Sequence, residues 1–367
     1  MNYTMKFSKA DEKISTILEK SIEVGLHSLS ENYGNTGLVS KFSISDYHKE
    51  SELVKKAVLK YCAENSGMGE ITSKEDITMA FSNPQFEFLF NSIQAQSLMG
   101  IMTRVQSPQI LSMANIATVG LGDSYTWEID PKGLPVAQRA SYLSNVTINE
   151  TFLKSGITVT PQQYSIGVDV DYIRIIANDY DWGRELARVA MGMLYAQYKL
   201  IVGLVFDTAN ATSLYNATFT AAKYVKTASD LTALNGSRPT AFGALPAWQK
   251  ISALASQGGL MATDKYIDNG YLQKIYGVDS VIIDQATDFS APLNAGVPEV
   301  LVPENLIVML SGVGDKPVKL VRENFIRIIK QNNTDGAQNK VAYSYFMGFD
   351  AAIATQAHFA LQNVAGA

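Results

Sequence analysis

"ITVTPQQYSIGVDVDYIRIIANDYDWGRELARVAMGMLYAQYKLIVG", residues 157–203, decides how this chain folds. Tyr164, Ile166, Val168, Val170 and Tyr172 fall on one face, and Gly167, Asp169 and Asp171 on the other, the period of two that marks a half-buried strand. Ile157 and Val159 alternate in a different phase, with Pro161 in the gap, as happens at a bulge or where a strand leaves its sheet. Beyond Asp181 the period lengthens. Trp182, Leu186, Val189, Met193, Gln197, Leu200 and Leu204 recur every three or four residues while Arg184, Glu185, Arg188 and Lys199 point elsewhere, which predicts a helix of about six turns, ~35 Å long. A strand and a long helix are thus made with no evident chemistry between them.

Toward the N-terminus, Ile14, Ile17, Leu18, Ile22, Leu26 and Leu29 predict one amphipathic helix. "SISD" offers Ser45 or Asp46 as the cap of a second, and Pro84 opens a third through Phe86, Phe90, Ile93 and Leu98. From about residue 110 the character becomes strand-like, in "YTWEI", "YLSNVTINETF" and "GITVT", with a turn at Asp130-Pro131-Lys132-Gly133 and a hairpin tip expected at Lys154-Ser155-Gly156. Such a thin two-stranded excursion buries no core of its own and must lie on something else.

Toward the C-terminus, residues 207–245, rich in Ala, Thr, Ser and Asn, read as loop and short strands with a boundary at "NGSRP". A helix through Trp248, Ile251 and Leu254, a Gly258-Gly259 break, a helix near Leu272 to Ile275 and strands "SVIID" and "LIVML" follow. Val341, Tyr343 and Tyr345 predict one more alternating strand before an Ala-rich end.

With 47% apolar residues the 367-residue chain can build real cores, while only 18% charged residues leave more neutral surface than usual, which suits burial against copies of itself. A net charge of −5 argues against holding nucleic acid by overall electrostatics. The single cysteine, Cys62, precludes an intramolecular disulfide and reads as a small apolar helix residue. No signal-peptide pattern opens the sequence, and "LYAQYKLIVGLVF" is interrupted by Gln197 and Lys199, so synthesis in a cytoplasm and no membrane span are expected. Sequons such as Asn145-Val-Thr147 and Asn216-Ala-Thr218 then read as ordinary polar segments.

Catalytic, cofactor and metal motifs do not emerge. "SGMGE", "VGLGDS" and "SGVGDKP" each lack the third glycine of a dinucleotide fingerprint. His27, His48 and His358 stand alone without ligands at metal spacing, and no Gly-x-Ser-x-Gly elbow marks a nucleophile. Asp169 with Asp171, and Asp179 with Asp181, form acidic pairs; the second pair suits a helix cap, the first a solvent-facing strand. Lys316, Lys319, Arg322, Arg327 and Lys330 form the strongest charge bias, expected as a solvated face or one side of a subunit contact. No catalytic, cofactor-binding or metal residue is assigned and no cofactor is expected.

The order of elements resembles that of the major capsid proteins of tailed bacteriophages, the Hong Kong 97-type fold. Residues 157–203 look like that family's passage from loop hairpin through a Val-x-Pro turn and strand into a spine helix; "YLQKIYGVDSVIID" is similar to its axial domain, and "AIATQAHFALQ" to its closing strand. The resemblance covers about residue 84 to the end. It implies an α+β fold divided into an N-terminal helical arm (1–83), an arm continuing into the peripheral domain (84–121), an extended-loop hairpin (122–163), a peripheral domain with the spine helix (164–240), an axial domain (241–330) and returning peripheral strands (331–367). It implies a non-enzymatic shell subunit, located in the virion after synthesis in the host cytoplasm. The partners implied are copies of itself in hexamers and pentamers, scaffold, portal and decoration proteins, and packaged double-stranded DNA as a neighbour, with no membrane. An uncleaved arm is expected, and no crosslink is assigned to Lys132, Lys154 or Asn363. Two other readings stay open: an encapsulin-like nanocompartment, and a cytoplasmic α/β enzyme around Asp169, Asp171 and Arg174.

Overall fold

A computed structural model describes residues 12–33, 44–71, 73–105, 113–129, 155–171, 181–207, 215–216, 218–256, 274–283, 285, 300–311, 316–331, 340–354 and 358–365. Helices α1 (Glu12–Tyr33), α2 (Ile44–Asn65), α3 (Lys74–Ser82) and α4 (Pro84–Arg104) come first. The second begins at Ile44, so Ser45 and Asp46 lie in its first turn and do not cap it; there Asp46 places negative charge at the positive end of the helix. Ser73 and Asp76 close a reciprocal capping box on α3, and Asn83 caps α4 with Pro84 at its first position.

Strands β1 (Ala114–Val119), β2 (Tyr125–Ile129), β3 (Ser155–Val159) and β4 (Gln162–Asp171) precede the long helix α5 (Trp182–Asp207). The change of phase at Pro161 is a strand leaving its sheet. Among the described residues β3 pairs only with β2 in a two-stranded ribbon, whereas β4 joins a four-stranded sheet in the order β1-β10-β11-β4, where β10 is Val318–Gln331 and β11 is Lys340–Ile353. Ser155 and Gly156 pair with Ile129 and Glu128, so they are strand residues and not a hairpin tip; Lys154 and the segment "YLSNVTINETF" lie outside the described residues.

Helices α1, α2, α4 and α5 meet the sheet in the largest core, where Phe86, Phe90, Trp182, Leu186, Met193, Tyr343, Tyr345 and Phe349 are all buried. The apolar rows of α5 serve two cores. Its first half lies in this one, and Tyr198, Ile201, Val202, Val205 and Phe206 lie in a second with β9 (Leu306–Ser311), β10 and β12 (Ala360–Asn363). At 26 residues α5 is about 39 Å long. Contrary to expectation, it is long and apolar enough by composition to cross a membrane, because Lys199 is the one charged residue between Val189 and Phe206; half of that apolar window is buried within the protein, as in a core helix.

The second sheet runs β5-β12-β9-β6-β8-β7, with β5 Tyr215–Asn216, β6 Pro239–Gly243, β7 Lys274–Ile275 and β8 Val278–Ile282. Between residues 207 and 245 the expected loop region holds instead a helix, α6 (Ala221–Asn235), whose Tyr224, Thr227, Ala228, Leu231 and Asn235 form the buried face. Thr220 caps its start and Gly236, at φ 68°, ends it in the left-handed conformation. Good helix formers and one apolar stripe outweighed the polar composition. Helix α7 (Leu245–Ser256) carries Trp248, whose indole N–H donates to the carbonyls of Gly243 and Val281 at 3.1 Å each, joining α7 to β6 and β8. Lys274 and Ile275, expected in a helix, form β7. Tyr276 (φ 49°) and Gly277 (φ 82°) are two consecutive left-handed residues, which turn the chain into a tight hairpin with β8.

β10, which was not foreseen as a strand, pairs with β1 on one side and β11 on the other. Its sequence "VKLVRENFIRIIKQ" interrupts alternation with charges, and its register with β11 shifts between Arg322 and Ile326. That bulge is why a simple period of two does not fit.

Candidate functional site

Among the described residues no cluster of His, Cys, Asp or Glu is placed to hold a metal. Asp169 and Asp171 stand opposite Ala342 and Lys340 in the sheet register; Arg174 and Asp179 lie outside the described residues. Asp181 is a helix cap: its Oδ1 accepts from the amide of Arg184 at 3.1 Å. The same oxygen accepts from the hydroxyls of Tyr47 (2.7 Å) and Ser51 (2.8 Å), so one carboxylate fastens α2 to the start of α5. Burial, chiefly, pushes the Tyr47 hydroxyl well above its ordinary pKa, with Asp181 adding to the shift.

His27 is buried against the Tyr47 ring, centroids 4.9 Å apart, while His48 and His358 are exposed and far apart in the sequence. Cys62 is fully buried in α2, where burial pushes its thiol up to about 12. Both are core residues. Asn363 sits at the end of β12, its side chain accepting from the amide of Ala365 at 2.9 Å; Lys132 lies outside the described residues.

The expected basic face does not exist as such. Lys319 and Arg322 are buried at 0% and 6% exposure, Lys330 pairs with Glu87 of α4 at 3.2 Å, and Arg327 is exposed. The cluster is pulled inward because β10 is a central strand. Its charges meet the root of the two-stranded ribbon: Lys319 Nζ lies 5.1 Å from the centroid of the Trp127 ring of β2, a cation–π contact. Arg322 reaches Thr118 of β1 and the carbonyl of Met102, each at 3.5 Å, and burial lowers its pKa.

The ribbon is the feature most unlike a self-contained domain. Tyr125 pairs with Val159 and Ile129 with Ser155, neither strand bonds to another sheet among the described residues, and Leu121 and Tyr125 are exposed at 67% and 40%. Residues 130–154 connect its far ends.

A family model described as "SPbeta prophage-derived putative capsid protein YonB" matches residues 25–361. The chain belongs to this capsid-protein family. That match runs from α1 to β12 and so includes both sheets, the ribbon and the long helix. No curated protein matches the chain in sequence. Among solved structures it is similar to a subunit of the satellite phage P4 procapsid, with 11% identity, 73% of this chain and 90% of that chain covered, and a TM-score of 0.49. It is similar to the bacteriophage PhiM1 mature capsid at 9% identity, 70% and 86% coverage and a TM-score of 0.48. A capsid chain of the cyanophage P-SCSP1u gives 12%, 70%, 88% and 0.46 for the same quantities.

Proposed function

We propose that this chain is the major shell subunit of a tailed phage, assembling as hexamers and pentamers into an icosahedral shell around double-stranded DNA. The observation that supports this most directly is the ribbon within a capsid-family chain. β2 and β3 bond to each other and lay Trp127, Ile157 and Val159 on their own subunit, but their other face, with Thr126, Glu128 and Thr158, and the apolar Leu121 and Tyr125 at the root stay exposed, a surface that a neighbouring copy would cover. In this reading residues 122–163 form the extended loop, 164–240 and 331–367 the peripheral domain around α5, and 241–330 the axial domain. β10 then ties the last of these into the peripheral sheet, while β5 and β12, from the segments on either side, complete the axial sheet beside β9. The helices of residues 12–104 form a packed layer of the mature subunit, since Leu18, Val24, Leu29, Val54 and Val58 are buried in the principal core. DNA is a neighbour of the shell and not a sequence-specific ligand, the portal, scaffold and decoration proteins are its other partners, and the virion is where it resides. The prophage origin in the family's description favours a virus over a cellular nanocompartment.

Negative-stain electron microscopy with light scattering on the purified chain tests the proposal. Closed particles, tubes or rings of five and six are expected. A monomer or dimer at all salt and protein concentrations, also when co-expressed with its neighbouring phage genes, would overturn it. Replacing residues 130–154 with Asn-Gly, a two-residue link suited to joining the paired Ile129 and Ser155, should leave the subunit folded and abolish closed shells.

A further inference from the structure

The ribbon's direction is set at its root, and the residues that set it sit on one stretch of β10. At the bulge, Glu323 turns its carboxylate between two elements. One oxygen accepts from the amide of Gly122, in the turn that leads from β1 into β2, at 3.0 Å; the other accepts from the amide of Gly348 in β11 at 3.1 Å. Each oxygen thus has its own N–H donor, an arrangement only a carboxylate satisfies in full. Both amides belong to glycines for a reason. Gly122 has φ 77°, and a Cβ on Gly348 would stand 2.3 Å from the Glu323 carboxyl carbon and oxygen. Four residues upstream, Lys319 lies over Trp127 of β2, and Arg322 reaches Thr118 of β1.

From this convergence we infer that Lys319, Arg322 and Glu323 form a latch that fixes the angle at which the ribbon leaves the subunit, with Glu323 as its principal positioning residue. The bulge is the device that presents the latch. Glu323 stays in register with Val119 of β1 but has no partner residue on β11, and that break on the β11 side is where its carboxylate lies between the Gly122 and Gly348 amides. The importance of the ribbon's angle to assembly rests on the shell reading above; the latch itself is a property of the single subunit.

The test is amide hydrogen exchange on the full-length subunit before assembly, comparing Glu323→Gln and Gly348→Ala with the unmodified chain. Gln keeps the shape but turns one acceptor into a donor facing an N–H, and the new methyl group of Gly348→Ala displaces the carboxylate without removing its charge. Both should speed exchange at Gly122 and along Tyr125–Ile129 by about tenfold or more, while β8 and β9 in the other sheet keep their protection. Unchanged exchange at Gly122 and in β2 would overturn the latch, as would a uniform rise across both sheets, which would make Glu323 a general stabilising residue. Should neither variant give soluble protein, Lys319→Met tests the same root from the Trp127 side with the same two outcomes. Because exchange is read before assembly, a failed latch and a failed shell reading are separately visible: the first appears in the subunit's exchange pattern, the second in the absence of particles from the unmodified chain.

Discussion

Gly183→Ala is a sharp test of how the N-terminal helices join the rest of the subunit. Gly183 is the second residue of α5, and a Cβ there would stand 2.5 Å from Val24 Cγ1, 2.9 Å from the Tyr47 hydroxyl and 3.0 Å from the Val24 carbonyl oxygen. None of the three yields cheaply. Val24 is β-branched and fully buried, its carbonyl belongs to the α1 backbone, and the Tyr47 hydroxyl is held by Asp181 at 2.7 Å. Overpacking of this kind costs about 1–3 kcal/mol, while replacing glycine in a helix returns at most about 1 kcal/mol and less in a first turn. The expected net loss is therefore about 1–2 kcal/mol. Gly25→Ala is the milder comparison: its Cβ would meet the terminal Cδ1 of Ile101, which a χ2 change can move, and no backbone atom, so a smaller loss is expected even though Ile101 is itself fully buried. Urea unfolding followed by indole fluorescence suits the comparison, since Trp182 adjoins the site. If Gly183→Ala proves as stable as the parent, or costs less than Gly25→Ala, the tight α1–α5 approach is wrong.

Leu186→Asp or Met193→Asp puts a carboxylate into the α5 core, where both native side chains are 2% exposed or less; a loss of several kcal/mol and no native, soluble subunit are expected. Circular dichroism and gel filtration indistinguishable from the parent would contradict that placement. Cys62 carries a pH signature. Its folded thiol titrates at about 12 against an ordinary value of 9.0, so below pH 9 it is protonated in both states and its contribution is whole. As pH rises from about 9 to about 12 only the unfolded chain loses the proton, and stability falls. Cys62→Ala should reduce that alkaline slope, and the native thiol should resist a thiol reagent at pH 8 until urea unfolds the chain. Rapid labelling of the folded subunit would show that the site is open.

What the sequence made legible were the elements whose periods are long and uninterrupted. α1, α5, β4 and β11 follow from apolar spacing, α4 from spacing behind Pro84 and β9 from an unbroken apolar run, and Asp181 follows from its place before an apolar helix. α6 was missed because its polar composition masks a narrow stripe of five buried residues. β7 was missed because two residues of strand are too few to carry a period; the Tyr276-Gly277 turn that closes it looks from sequence like a helix end. The ribbon root was missed for a third reason. Lys319, Arg322 and Glu323 look like surface charges, and the signals that they are not, a glycine at 122 and another at 348, lie far away in the chain and acquire meaning only in contact.

The buried charges of β10 also bear on why the subunit has so few charges elsewhere. A lysine and an arginine taken out of water are expensive unless each finds a partner, and here Lys319 meets the Trp127 ring of β2 while Arg322 meets the Met102 carbonyl of α4 and the Thr118 hydroxyl of β1. Replacing them with apolar residues would be as stable or more so, but would leave nothing directional between the sheet and the ribbon. Apolar contacts hold a ribbon down without specifying its angle, whereas a carboxylate shared by two amides specifies it to within the narrow geometry of its hydrogen bonds. A shell that must close requires every copy to keep that angle within the narrow range that its pentamers and hexamers share. The cost of burying charge at this one place is what a closed assembly would be expected to bear, and the neutral remainder of the surface is what lets the copies meet.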